Sequence, residues 1–211
     1  TLVELRDKRI LRVAPSAVDE LTVREGGVLV VHAKKNDSVW TLVEPENAPA
    51  DAEKIRRVLD DVALARASAF EDEPKPRGAY GFASPEVELT VRAGDVEERL
   101  SLAKADGRAW LERSEDPVIL EVNERVASNV PRMFFDYRAK RVLTLDVEQV
   151  RALEIAFPRG GATHRLKREG EAWKSEDATL ELQPLKVEDL LYALAAVDAT
   201  GLEEASFDRA Q

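Results

Sequence analysis

Few side chains in this chain are suited to covalent or acid–base chemistry, and their spacing narrows the field further. There is no cysteine, which excludes disulfide frameworks, thiolate metal sites, thiol nucleophiles and iron–sulfur clusters. The only two histidines are His32 and His164. Neither belongs to an HxxxH or HExxH arrangement that would offer a metal two ligands from one helical face, and both are expected as surface positions on strands. Carboxylates are plentiful, with 41 Asp plus Glu against 31 Lys plus Arg, and adjacent pairs such as Asp60-Asp61 and Glu203-Glu204 are easy to find. Neighbours at i and i+1 point apart on a helix or a strand, whereas a glycosidase needs two carboxyls converging from separate segments. A solvated acidic surface is the simpler account. GxSxG elbows, GxxxxGK[ST] loops and GxGxxG fingerprints are all missing. The residues therefore nominate no catalytic, cofactor-binding or metal-ligating position, and the ligand-binding residues stay unassigned.

Recognition without catalysis has two candidate signals. Trp40, Trp110 and Trp173 all fall in tracts that read as strands, and an indole can stack on a sugar ring. Trp40 and Trp173, however, hold corresponding places just ahead of a helix, where a large aromatic fills a sheet–helix core, so burial is expected. The basic tract Arg6-Asp7-Lys8-Arg9, echoed at Arg138 to Arg141, is too short for a nucleic-acid patch. A net charge of −10 and a pI near 4.9 also suit a phosphate backbone poorly. With 44% apolar and 34% charged residues the chain is globular, and 211 residues suffice for one large domain or two small ones.

An internal repeat organises these residues. Arg6-Asp7-Lys8-Arg9-Ile10-Leu11 returns 132 positions later as Arg138-Ala139-Lys140-Arg141-Val142-Leu143. Val18 and Leu21-Thr22-Val23 match Val150 and Leu153-Glu154-Ile155 at the same offset, as Ala67 to Asp72 match Ala199 to Glu204. Lys34 to Trp40 match Lys167 to Trp173 at 133, which places one inserted residue in the Pro158-Arg159-Gly160-Gly161 turn. The offset leaves the equivalence of His32 and His164 dependent on where that gap falls. The expected organisation is a repeat unit over 1–72 (three strands plus a helix), a different segment over 73–137 (four strands plus a short helix), and a second copy of the first unit over 138–211. That is one and a half modules, as expected of a piece of a longer chain, and the opening Thr1-Leu2-Val3-Glu4-Leu5 without Met fits the same expectation.

Within the first unit, dense β-branched residues bounded by turn residues predict strands over 18–24, 28–33 and 38–43. A helix starts at Asp51, with Ile55, Val58, Leu59 and Val62 on one face. The second copy repeats that stripe as Val187, Leu190, Leu191 and Leu194 behind Pro184. Segment 73–137 reads as strands over 86–92, 97–103, 108–112 and 118–122, with a helix over 123–129. The fold class is α+β: repeated antiparallel β-meanders, each covered by one helix. The longest strictly apolar run, Leu190 to Val197, is eight residues, against roughly 20 for a membrane-spanning helix, and no signal-peptide pattern opens the chain.

The order of these motifs resembles that of bacterial proteins carrying the domain of unknown function 4340. The resemblance rests on Arg6-Asp7-Lys8-Arg9-Ile10-Leu11, on Trp40 followed by Pro45 and Pro49-Ala50-Asp51 with the Ile55 stripe, on Tyr80-Gly81-Phe82-Ala83-Ser84-Pro85 as a Tyr-Gly-Leu-x-x-Pro signature, and on Ala109-Trp110-Leu111-Glu112-Arg113. Phe82 replaces the usual Leu, and the second copy lacks the Pro49-Ala50-Asp51 form. The resemblance implies a parent with an N-terminal membrane helix and an extracytoplasmic body of repeated modules, often encoded beside ABC transporter components associated with gliding motility. It carries no catalytic residues. The resulting expectation is a non-enzymatic periplasmic or extracytoplasmic module, anchored by a segment outside this chain, that binds or scaffolds protein partners of an ABC transport system without cofactor, nucleic acid or direct membrane insertion. The alternative is an envelope glycan- or peptide-binding domain with Trp110 or the Tyr80 to Phe82 stretch as its platform. An acid–base hydrolase has only generic carboxylates in its favour.

Overall fold

Tracts that alternate apolar and polar residues, most clearly 20–25 and 87–93, build the sheet of the first two-thirds of the chain. In the computed structural model, which describes residues 5–157, 162–176 and 182–201, β1 (Glu20–Glu25) buries Leu21 and Val23, and β2 (Val28–Asn36) buries Val31 and Ala33. The hairpin between them turns on Gly26 (φ +53°) and Gly27 (φ +83°), two consecutive left-handed residues whose twist matches that of the flanking strands. After β3 (Val39–Glu44) and a short β4 (Ala48–Pro49) comes α1 (Ala52–Leu64), whose Ile55, Val58, Leu59 and Val62 are all buried. The Asp51 carboxylate caps α1 by accepting from the Lys54 amide at 2.9 Å. Asp51→Ala is expected to cost about 1 kcal/mol, measurable as a lower urea midpoint with an unchanged slope.

Four longer strands follow the short β5 (Ala69–Glu71): β6 (Val87–Ala93), β7 (Val96–Ala105), β8 (Arg108–Arg113) and β9 (Ile119–Val122). Two short helical turns, α2 (Arg125–Ser128) and α3 (Phe134–Tyr137), close this part of the chain. All nine strands form one antiparallel sheet in the order β4-β3-β2-β1-β6-β7-β8-β9-β5. The joint is β1 against β6, with Leu21 opposite Val91 and Val23 opposite Leu89. Residues on the two sides of position 72 thus share one sheet and one core, in which Leu21, Leu42, Ile55, Leu89, Leu100, Leu111 and Leu120 belong to a single cluster.

The chain divides into two compact units between Ala139 and Lys140. The second contains β10 (Ala152–Ile155), β11 (His164–Glu169) and β12 (Ala172–Ser175) in that order across a three-stranded sheet, followed by α4 (Pro184–Ala195). Its core is Val147, Leu166, Trp173, Val187 and Leu191.

The backbone pairings of the two units can be compared position by position. A bridge joins Arg9 to Arg66 and another joins Arg141 to Asp198. The Ala67 amide donates to the Lys8 carbonyl at 2.8 Å, and the Ala199 amide donates to the Lys140 carbonyl at 2.7 Å. These correspondences run at 132. Leu21 faces Ala33 as Leu153 faces Leu166, and Val23 faces Val31 as Ile155 faces His164, so the second strand of each pair runs at 133. His164 therefore stands where Val31 stands, and His32 corresponds to Arg165: the histidines are not a pair. The added residue falls between β10 and β11. The Pro158 to Gly161 turn to which it was assigned lies outside the described residues, as do Leu202 and the Glu203-Glu204 pair.

Candidate binding surface

On the first unit's sheet, the alternation that sends Leu21, Val23, Leu89 and Val91 inward places charged and hydroxyl side chains on the other face. Glu20 sits opposite both Lys34 and Arg92, Thr22 opposite Thr90, Arg24 opposite Glu88, and Arg92 opposite Glu97. Direct cross-strand neighbours interact, and these interlock. Glu20 Oε1 lies 2.6 Å from His32 Nε2, and Glu20 Oε2 accepts from Arg92 Nη1 at 3.1 Å. Arg92 Nη2 donates to Glu97 at 2.8 Å, and Arg99 Nη2 donates to the other oxygen of Glu97 at 3.3 Å. Further along the same sheet Arg77 makes a two-pronged contact with Glu112, Nε at 2.8 Å and Nη2 at 2.6 Å. A shallow cleft of about 340 Å³ lies over Glu20, Thr22, Thr90, Arg92 and Glu97.

This face compensates its own charge. Partial burial pushes the Glu20 carboxyl up, but the His32 hydrogen bond and the Lys34 and Arg92 charges outweigh it and hold the group below its ordinary 4.5. A general acid needs the opposite shift. Because the folded-state pKa is the lower one, Glu20 stabilises the fold above its ordinary value, and that contribution is lost as pH falls through the folded value. The first unit is therefore expected to lose stability on acidification below about pH 5, and Glu20→Gln should flatten part of that loss in urea titrations. Parallel profiles for the variant and the parent would exclude this role.

A second polar group is buried. Glu98 Oε2 accepts from the amides of Arg12 (2.9 Å) and Val13 (3.2 Å). Arg113 donates through Nη1 to the Arg9 carbonyl at 2.8 Å and through Nη2 to Asp116 Oδ2 at 2.5 Å. Asp116 also accepts from Arg12 Nη2 at 2.8 Å and the Val118 amide at 3.1 Å. Glu98 and Arg113 thus fasten the irregular tract 9–13 to the sheet. These hydrogen bonds to the backbone add to the packing of Ile10 and Leu11 in the core and to the Arg9–Arg66 bridge.

All three tryptophans are buried. Trp110 packs edge-on against Tyr80 with centroids 5.0 Å apart, Phe82 lies 6.1 Å from Tyr80, and Ala103 and Ile119 complete this cluster. Gly81, at φ +85°, turns the chain between the two aromatics. The rings expected as a stacking platform are thus buried in one cluster. Among the described residues no group of three or more His, Asp or Glu side chains is placed to hold a metal ion, and no helix is long and apolar enough to cross a membrane.

The sequence profile of the domain of unknown function 4340 (DUF4340) matches residues 40–210. The chain belongs to this family. The DUF4340 match covers most of both compact units and takes in the Trp40 strand, the Tyr80-Gly81-Phe82 turn and the Trp173 strand. No curated protein and no solved structure matches the chain.

The second unit of this DUF4340 chain presents a different surface. Val142, Leu143, Phe157, Leu185, Leu190, Tyr192, Leu194 and Val197 are all exposed, and an open cleft of about 410 Å³ runs between the sheet and α4, lined by Ile155, Phe157, His164, Leu166, Val187 and Leu190. Reading the α4 stripe from spacing alone expects Val187, Leu190, Leu191 and Leu194 to be buried together. Only Val187 and Leu191 are.

Proposed function

We propose that this chain is a non-enzymatic binding or scaffold module, borne by a membrane-anchored extracytoplasmic parent that works with an ABC transport system. The observation that carries the binding part is the open cleft between the second unit's sheet and α4, where exposed Phe157 and Leu190 lie beside Ile155, Leu166 and Val187, since isolated apolar side chains are ordinary on a protein but a concentration of them marks an interaction surface. The first unit's charged face favours no catalysis: its best-connected carboxylate is held ionised, and Lys34, Arg92 and Arg99 are paired with Glu20 and Glu97. The family resemblance supplies the envelope and transport part of the reading.

The test is an in-cell photocrosslinking experiment on the full chain, with the crosslinker at Leu190, which lines the apolar cleft, in one variant and at Glu88 on the charged face in another. Capture of envelope or transporter components from the Leu190 position only is the expected result. Equal capture from both positions, or none, would remove the support for this reading.

A further inference from the structure

The internal correspondence between the units shows what is missing from the second. Ile10, Leu11, Val58 and Val62 of the first unit are at most 3% exposed. Their counterparts 132 positions on, Val142, Leu143, Leu190 and Leu194, are between 38% and 63% exposed. The change is selective. Ile55, Leu59 and Trp40 have the counterparts Val187, Leu191 and Trp173, and all six are buried. Each helix therefore covers its own three strands in the same way, and only one flank differs.

In the first unit that flank is occupied by segment 73–137. Its Leu100, Leu102, Leu111 and Leu120 share a core cluster with Ile10, Leu11, Val58 and Val62. Its Glu98 and Arg113 bind the backbone at positions 9, 12 and 13, and its β6 pairs along the whole of β1 from Glu20 to Glu25. The counterpart of β1 is β10, which pairs with β11 and, among the described residues, with no strand on its other edge. An open strand edge beside an apolar face is a template for an added strand.

We propose that β10, together with Val142, Leu143, Leu190 and Leu194, is the docking site for a polypeptide segment built like residues 73–137: an antiparallel strand with β6-like alternation, Val87, Leu89 and Val91 on one side, backed by further strands that bring apolar residues over the flank. A second copy of this chain is the poorer occupant, because its own β6 is already paired to β1. The inference rests on reading the second unit as a binding surface, and it names the kind of partner that surface takes.

Gln211 corresponds to Ala79 at the 132 offset, so residues 80–137 appended directly after Gln211 would reach the second unit in the register that segment 73–137 has in the first. The tether raises the effective concentration of the appended segment. Amide exchange of Ala152 to Ile155 is expected to slow by at least ~10-fold in the extended chain, and not when the appended segment carries Leu89→Lys with Val91→Lys. An appended segment that folds while β10 exchanges as before overturns the proposal. So does concentration-dependent protection of β10 in the original chain, which would assign the edge to a second copy. If the appended segment does not fold, a peptide of residues 86–93 added to the original chain decides: slowing at 152–155 supports the proposal and unchanged exchange overturns it. Protection of β10 with failed crosslinking would sink the transport assignment alone; crosslinking with no protection would sink the docking assignment alone.

Discussion

Arg113→Ala is expected to lower the unfolding free energy of the first unit by about 3 kcal/mol, the lower end of the cost of breaking a buried ion pair, because the part-buried Asp116 loses its buried cation. The Arg113 side chain is only 5% exposed and that of Asp116 10%. Burial pushes the Asp116 carboxyl up, and the Val118 amide, Arg113 and Arg12 together bring it below its ordinary value. With Arg113 gone, Asp116 keeps the more exposed Arg12 and the amide, and the Arg9 carbonyl loses its donor. Asp116 should then titrate higher, so the deficit should shrink as the medium is acidified and the carboxyl becomes neutral. Trp40 and Trp110 lie in the first unit and Trp173 in the second, so urea unfolding followed by fluorescence in a Trp173→Phe background reports on the first unit. The double variant Arg113→Ala with Asp116→Ala should regain part of the loss, and that coupling isolates the pair. A loss of under ~1 kcal/mol would place the contact with ordinary surface ion pairs.

Gly81→Ala should cost about 2–5 kcal/mol, for two reasons that add. The residue sits at φ +85°, where an L side chain costs about 1–2 kcal/mol. A Cβ there would also stand 2.7 Å from the Lys104 carbonyl oxygen and 3.3 Å from Ala103 Cβ, and overpacking of a settled core costs about 1–3 kcal/mol. The control lies in the same turn: a Cβ at Gly78 meets nothing within 4 Å, so Gly78→Ala should be close to neutral. Equal effects of the two substitutions on the urea midpoint would show that the close approach at Gly81 is relieved at no cost. This gives the Tyr-Gly-Phe motif a structural meaning. Tyr80 and Phe82 can cover Ala103, Trp110 and Ile119 only because the residue between them lets the backbone lie against β7.

The local pattern of the chain accounts for β1 to β3, α1 and β6 to β9, since each carries its own alternation or helical stripe and its own turn residues. It does not account for the pairing of β1 with β6. Leu21 opposite Val91 is a contact between residues 70 positions apart, and either strand alone would be equally content at an edge. The two-residue β4, the three-residue β5 and α3 are too short to show a period. Tyr137, fully buried with its hydroxyl donating to the Pro131 carbonyl at 2.8 Å, stands outside any stripe. Glu98 and Arg113 carry no local sign of burial, because what buries them is the tract 9–13 folding over from far away. The tryptophans were legible, since Trp40 and Trp173 precede helices at matched places. The outer-face ladder around Glu20 was visible only as a generic excess of charge, because its order depends on strand register.

The recurrence of the bridge at Arg9–Arg66 and again at Arg141–Asp198 bears on how such a chain can change over generations. In each case the backbone leading into the sheet–helix unit lies beside the backbone leaving it. A piece of protein with adjoining ends behaves as a cassette: its gene segment can be duplicated or deleted in frame while the strand pairings inside each copy stay as they were. Chains of differing length can therefore arise by unequal crossing-over between repeats, with each new copy inheriting the same closure.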